Sequence, residues 1–175
     1  HAQRFQSENQ RAELMRRRSE TLVRLTDVSY KIDNNQPLDQ VLNMIASGIR
    51  DATPFDVVLM SIVEADTSLL RRVTAVGIPQ ETLNELLTRK QPLASVQQLM
   101  KPEFRVSHSY FIPADQTPVM PSDVHIVNIG ITVALPDTAN AWNPDDFMLV
   151  PLEDSEGQTI GLISLDNPRN GLRPD

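Results

Sequence analysis

The residues able to do chemistry in this chain are few, and their types and spacing exclude most of what they could do. There is no cysteine, so thiolate nucleophiles, zinc–thiolate sites and disulfides are all ruled out. The three histidines are His1, His108 and His125. No two of them stand at the short intervals that bring a pair of imidazoles onto one metal. A lone axial haem ligand is the most that His108 or His125 could supply, and a polar strand or loop histidine is the commoner use of such a residue. Ser107 and Ser109 flank His108. Adjacent strand residues point to opposite faces, so neither serine makes a nucleophile–base pair with it. The carboxylate pairs Asp145-Asp146 and Glu153-Asp154 sit in turn-rich sequence and read as capping or solvated turn charges. The expectation is therefore a protein with no catalytic residues, no metal and no resident cofactor.

Binding chemistry has more to work with. Read as one strand, Phe104 to Ile112 places His108, Tyr110 and Ile112 on one face and Ser107, Ser109 and Phe111 on the other. One set is expected to face a pocket. His108, Tyr110, Phe111, Ile129, Ile131, Trp142 and Asp146 form the candidate lining, an apolar surface with a few polar handles. The same aromatics equally suit ordinary core filling. The six glycines are scattered, so no Gly-rich cradle for a phosphate is in view.

Those residues need a scaffold, and the bulk properties describe one. With 175 residues, 40% of them hydrophobic, the chain suits one domain with a sizeable core and room for an appended helix. Sixteen basic and 23 acidic residues give a net charge of −7, which argues against nucleic acid as a partner. The charge is uneven. Residues 1–36 carry seven basic and five acidic groups, and residues 37–175 carry nine and eighteen. The first segment therefore looks physically distinct from the rest. No apolar run approaches the ~20 residues of a membrane span, and the N-terminus has no signal-peptide core. The lack of cysteine fits a reducing compartment. The expected location is the cytoplasm, with no membrane contact in this segment.

Residues 2–32 contain no Gly or Pro and are rich in helix formers. A thin heptad stripe through Met15, Leu22 and Leu25 predicts a helix whose N-terminal half pairs with a second copy. Pro37 suits the first turn of the next helix, where Leu38, Val41, Leu42, Ile45, Ala46 and Ile49 recur at helical spacing. Phe55 to Val63 reads as a strand buried on both faces. Leu69 to Val76 is a second strand, with Arg71 and Arg72 putting one charge on each face, which places it nearer an edge. Two short helices follow, around Leu83–Leu87 and after Pro92. Phe147 to Leu152 and Thr159 to Asp166 form a final hairpin. Between them and Ile112 lies a long connection, 113–141, with four prolines, three acidic residues and no Lys or Arg. It also holds five alternating aliphatics from Val127 to Leu135. Aliphatics in water would forgo roughly 1.5–3 kcal/mol each, so Ile129, Ile131 and Val133 are expected to be buried beneath a lid or against a second subunit. Helices at one end and a hairpin-rich sheet mean an α+β fold with an antiparallel sheet.

That order, with several strings, resembles the GAF domains of bacterial sensor histidine kinases and related signalling proteins. The carrying residues are Leu38-Asp39-Gln40-Val41-Leu42, Phe55-Asp56-Val57-Val58-Leu59, Ala75-Val76-Gly77-Ile78-Pro79 and Ser109-Tyr110-Phe111-Ile112-Pro113. The strongest are Trp142-Asn143-Pro144-Asp145-Asp146 leading to Val150-Pro151-Leu152, and Gly161-Leu162-Ile163-Ser164-Leu165-Asp166 with Pro168. The likeness runs from about residue 20 to the end. It implies a GAF/PAS-like central antiparallel sheet with helices on one face and a cavity on the other, under the 113–141 lid. It divides the chain into an N-terminal signalling and dimerisation helix, 1–32, and a GAF domain, 33–175, with a C-terminal helix expected to follow in a longer protein. The Asn-Lys-Phe-Asp-Glu signature often found in GAF domains that bind cyclic nucleotides is absent. The family's covalent bilins and its free methionine-sulfoxide reductases depend on cysteine and are excluded. What the resemblance implies is a non-catalytic sensory module of a two-component or similar system. It would sense an unidentified small molecule and relay the signal through a homodimer and neighbouring domains. A ligand-free dimerisation or spacer module is the alternative.

Overall fold

The computed structural model describes residues 37–116, 120–125 and 134–174. The predicted helix 2–32, with Met15, Leu22 and Leu25, lies outside them, as do Ile129, Ile131 and Val133.

Helix α1, Leu38–Ala52, forms where the sequence repeats apolar residues on one face. Leu42, Ile45, Ala46 and Ile49 of that face pack on the sheet. Asp39 in its first turn and Arg50 in its last complement the helix dipole. The Thr53 N–H donates to the Ile49 carbonyl, and Pro54 leads out of the helix into the sheet.

The sheet contains β1 (Phe55–Glu64), β2 (Leu69–Val76), β3 (Lys90–Pro92), β4 (Arg105–Val106), β5 (Ser109–Ile112), β6 (Phe147–Glu153) and β7 (Thr159–Pro168). Its order is β3-β2-β1-β7-β6-β5-β4, with every neighbouring pair antiparallel. The two longest strands, β1 and β7, are paired near the centre, which is why their sequences are apolar on both faces. Gly77 ends β2 at φ +83°, where a Cβ would stand 2.0 Å from the Asp56 carbonyl oxygen. Only glycine fits that close approach.

Each face of the sheet carries its own core. Against α1 lie Phe55, Val58, Met60, Trp142, Ile163 and Leu165. On the opposite face lie Leu70, Ile112, Phe147, Leu149 and Leu162, together with Phe104 and with Val96 and Leu99. The second face is covered by two short helices, α2 (Gln80–Leu87) and α3 (Leu93–Gln97), as well as by the long connection. Helices thus stand on both sides of the sheet, with β3 joining α2 and α3 along its edge.

Two local departures from the sequence reading matter for the site. The span Phe104–Ile112 is not one strand. A one-turn 3₁₀ segment, Pro102–Phe104, leads into a hairpin of β4 and β5, and its turn places Ser107 at φ +58°. His108 therefore sits in an exposed turn. The second departure is a bulge. The β1–β2 register runs Met60↔Thr74 and then Ser61↔Arg72, leaving Val73 as an extra residue on β2. A bulge of this kind reverses which face the following side chains occupy. Thr74 accepts a hydrogen bond from Asn43 Nδ2 of α1 at 2.8 Å, whereas Arg72 turns to the opposite face.

Candidate functional site

On the face opposite α1 a cavity of about 80 Å³ is left between the sheet and its cover. Its floor is Val57, Leu59 and Ser61 of β1, Leu162 and Ser164 of β7, and Phe147 and Leu149 of β6. Leu86 of α2, Val96 and Leu99 beside α3, and Val124 and His125 of the long connection close it over. A second space of about 520 Å³ beside Ser68, Gln97 and Thr159 has no charged residue in its lining.

Most of the first cavity's lining is apolar, and Arg72, Ser61 and Gln91 gather at one end of it. All three are buried, Arg72 to the point of being only 2% exposed. Arg72 Nη2 donates to the His125 carbonyl at 2.7 Å. The His125 N–H in turn donates to Gln91 Oε1 at 3.1 Å. These two bonds latch the connection to β2 and β3. A third tie joins it to α3, where Ser95 Oγ donates to Asp123 Oδ2 at 2.8 Å. Burial lowers the Arg72 pKa from its ordinary value, and the like charge of Arg89 acts in the same direction.

None of the five described pocket candidates lines this cavity. His108 is in the β4–β5 turn. Tyr110 packs against the core on the cavity's face, outside the cavity itself. Phe111 points to the α1 face, where it and Phe55 each pack on Trp142 with ring centroids 5.8 Å apart. Trp142 is buried there and donates from its backbone N–H to the Gly171 carbonyl at 2.8 Å.

Asp146 is a structural staple. It is 1% exposed. Its Oδ1 accepts from the Ala114 N–H at 2.8 Å and its Oδ2 from the Asn143 N–H at 2.7 Å. Both oxygens also accept from Arg173, Nη2 at 2.9 Å and Nε at 2.8 Å. One carboxylate thus ties both ends of the 113–141 connection to the C-terminal segment. The capping reading of this aspartate is the one realised, in buried rather than solvated form. The residues that do line the polar end, Arg72, Gln91 and Ser61, were not singled out by the sequence reading. An unbroken run of β-branched and aliphatic residues around two arginines was the available signal.

Asp166 also lines the cavity. Burial pushes its carboxyl up to about 6, and the nearby Asp146 charge adds to that. Hydrogen bonds from the Asn167 N–H at 2.6 Å and from Trp142 Nε1 at 3.2 Å pull the other way. The folded state therefore holds a proton between pH ~4 and ~6 that the unfolded chain releases, so this group opposes stability above pH ~6 and ceases to do so near pH 4. Asp166→Asn is expected to stabilise the protein at pH 7.5 by about 1 kcal/mol, the partial exposure of the group having been allowed for. The difference from wild type should vanish near pH 4. Thermal unfolding across that range checks it, and a variant less stable at pH 7.5 than at pH 4, relative to wild type, would contradict it.

No family model matches the sequence, and no curated protein matches it either. Solved structures do. A GAF domain/HD domain protein from Geobacter sulfurreducens superposes with a TM-score of 0.53 at 9% identity, over 78% of each chain. The GAF domain of a phosphoenolpyruvate-protein phosphotransferase from Coxiella burnetii gives 0.52 at 15% identity, over 89% of this chain and 82% of that one. A free methionine-R-sulfoxide reductase from Neisseria meningitidis, solved with its substrate, gives 0.50 at 14% identity, over 86% and 74%.

Proposed function

We propose that this chain, whose fold is that of a GAF domain, is a non-catalytic regulatory module that binds a small molecule in the cavity between the sheet and the 113–141 connection. The observation that carries the reading is the cavity's construction. Its floor is rigid sheet, and part of its cover is a connection held by three side-chain hydrogen bonds. A ligand touching both would favour one arrangement of the connection over others by its differential contacts, which is all that regulation requires.

The similar fold of a reductase raises catalysis as a competing role. This chain has no cysteine and no paired nucleophile and base in its sequence, so binding without turnover fits its residues better. No helix among the described residues is long and apolar enough to cross a membrane. The proposed setting is a cytoplasmic signalling protein, of two-component or related type. In it the segment 1–32 relays the ligand's effect through a homodimer in which Met15, Leu22 and Leu25 meet their symmetry mates.

Native mass spectrometry of the full chain, isolated from its host, tests ligand and dimer together. The expected result is a dimer of about micromolar affinity carrying a retained small molecule, reduced to monomer on deletion of residues 1–20. A chain that remains free of ligand under gentle desorption and keeps its dimer after that deletion would favour a spacer module and overturn both parts of the proposal.

A further inference from the structure

Arg72 is the one feature of the cavity that an uncharged ligand would leave unexplained. The guanidinium has five N–H donors. One bond, from Nη2 to the His125 carbonyl, is made. Among the described residues Nε and Nη1 have no partner, although both atoms are buried. No carboxylate among the described residues pairs with Arg72, and the continuation of the connection, residues 126–133, contains no Asp or Glu. A buried, unpaired cation is costly and is normally neutralised by a partner. Its position is also built. The Val73 bulge rotates it onto this face, and the same latch that holds His125 holds the guanidinium at the end of the cavity.

We infer that the ligand is a small aliphatic monocarboxylate, bound with its carboxylate on Arg72 and its tail along Leu86, Val96, Leu99, Leu149 and Leu162. This rests on the regulatory reading above and names the ligand class for the same site. The carboxylate takes one unpartnered edge of the guanidinium, at Nε or at Nη1, which face different directions, with Ser61 and Gln91 beside it. A phosphate dianion would bring more oxygens and more charge than one arginine can satisfy in an apolar setting. The size follows from the space. At roughly 10–15 Å³ for each water-sized group, about 80 Å³ admits about five to eight non-hydrogen atoms, an acid of roughly three to six carbons. The ionisable Asp166 does not compete with the ligand for Arg72. It pairs with Val57, four residues along β1 from Ser61, or roughly 13 Å at the rise of a strand.

Isothermal titration calorimetry of the full chain at pH 7.5 tests this with butyrate, isovalerate and hexanoate, the neutral isostere isovaleramide and inorganic phosphate. Xenon-129 NMR reports the empty apolar cavity independently. The expected result is saturable binding of at least one acid and binding of isovaleramide weaker by about 30-fold or more, as buried polar recognition demands. Arg72→Gln should lose the acid while keeping its xenon shift, and Arg72→Lys should recover part of it. Equal binding of acid and amide, or undiminished acid binding by Arg72→Gln, would overturn the anion assignment and leave the ligand-binding reading intact. So would a xenon response with no acid bound. Phosphate bound through Arg72 in place of every acid would overturn the carboxylate assignment. Failure of both xenon and all the acids would overturn this inference and the cavity reading together. If Arg72→Gln does not fold, Arg72→Lys and the acid–amide comparison on the wild type still decide.

Discussion

Asp146→Ala is expected to destabilise the protein by about 3–5 kcal/mol, the cost of breaking a buried ion pair from one side. The carboxylate is almost wholly buried and accepts four hydrogen bonds. Its removal leaves the Ala114 and Asn143 N–H groups without their acceptor and strips Arg173 of its bidentate partner. Each stranded donor costs on the order of 1–3 kcal/mol. Arg173 keeps a bond to the exposed Asp115 at 3.1 Å, which offsets little, since exposed pairs contribute about 0–1 kcal/mol. Both ends of the 113–141 connection would be released at once, so the loss should appear as a fall in Tm of roughly 10 °C. Glu153→Ala provides the contrast. Glu153 is exposed and its removal should stay within about 0.5 kcal/mol of wild type. Urea unfolding of both variants measures the difference. A loss below ~1 kcal/mol for Asp146→Ala would mean that water replaces the carboxylate and that the staple is unimportant.

Arg72→Met should move stability in the opposite direction. Methionine fills similar volume with no charge to desolvate. It removes the unpartnered Nε and Nη1 from the interior, and it loses one bond, to the His125 carbonyl. The relief of buried unpaired donors, about 1–3 kcal/mol each, exceeds the ~1 kcal/mol net worth of the lost bond. The expected outcome is a ligand-free variant about 2 kcal/mol more stable than wild type, near 4–8 °C in Tm for a chain of this length. Stability gained by deleting a residue is the signature of a group kept for binding rather than for folding. If differential scanning calorimetry instead finds the variant destabilised by more than ~1 kcal/mol, Arg72 is a prop for the connection and its role in binding fails with it.

The two arginines of β2 show how far one-dimensional reading reaches. Alternation assigns Arg71 and Arg72 to opposite faces and places the strand near an edge, and β2 indeed lies next to the three-residue edge strand β3. What alternation cannot supply is which face each takes, because the extra residue at Val73 changes the parity halfway along the strand. Leu70 and Arg72 look toward the cavity, whereas Thr74 and Val76 look toward α1. Periodicity in β5 failed for a related reason. Tyr110, Phe111 and Ile112 alternate as predicted, but the turn at Ser107 and His108 removes His108 from the strand. Tyr110, Phe111 and Trp142 were all legible as apolar. Their assignment to a pocket required knowing which of the two cores each enters.

The amino-acid sequence by itself determined the fold class and most of the longer elements. The helical spacing of Leu38 to Ile49, the contiguous β-branched run of β1, the turn residues and the breaks at Pro54, Gly77 and Pro79 are local signals, and the energies behind them are local too. The absence of cysteine likewise restricts the chemistry whatever the fold. The site was decided only by tertiary structure. Two aspartates, Asp145 and Asp146, are identical in type and adjacent in sequence, yet one is exposed and the other holds three segments together. Two adjacent arginines differ in the same way, one paired with Glu64 at the surface and one buried without a counter-charge among the described residues. Burial and pairing depend on which distant segments arrive around a side chain. For Arg72 these are His125, 53 residues away, and Gln91, which is 34 residues from the His125 it holds. Charge in a low-dielectric interior is worth several times what it is in water. A difference invisible in the residue type therefore becomes a large energetic distinction once the chain is folded.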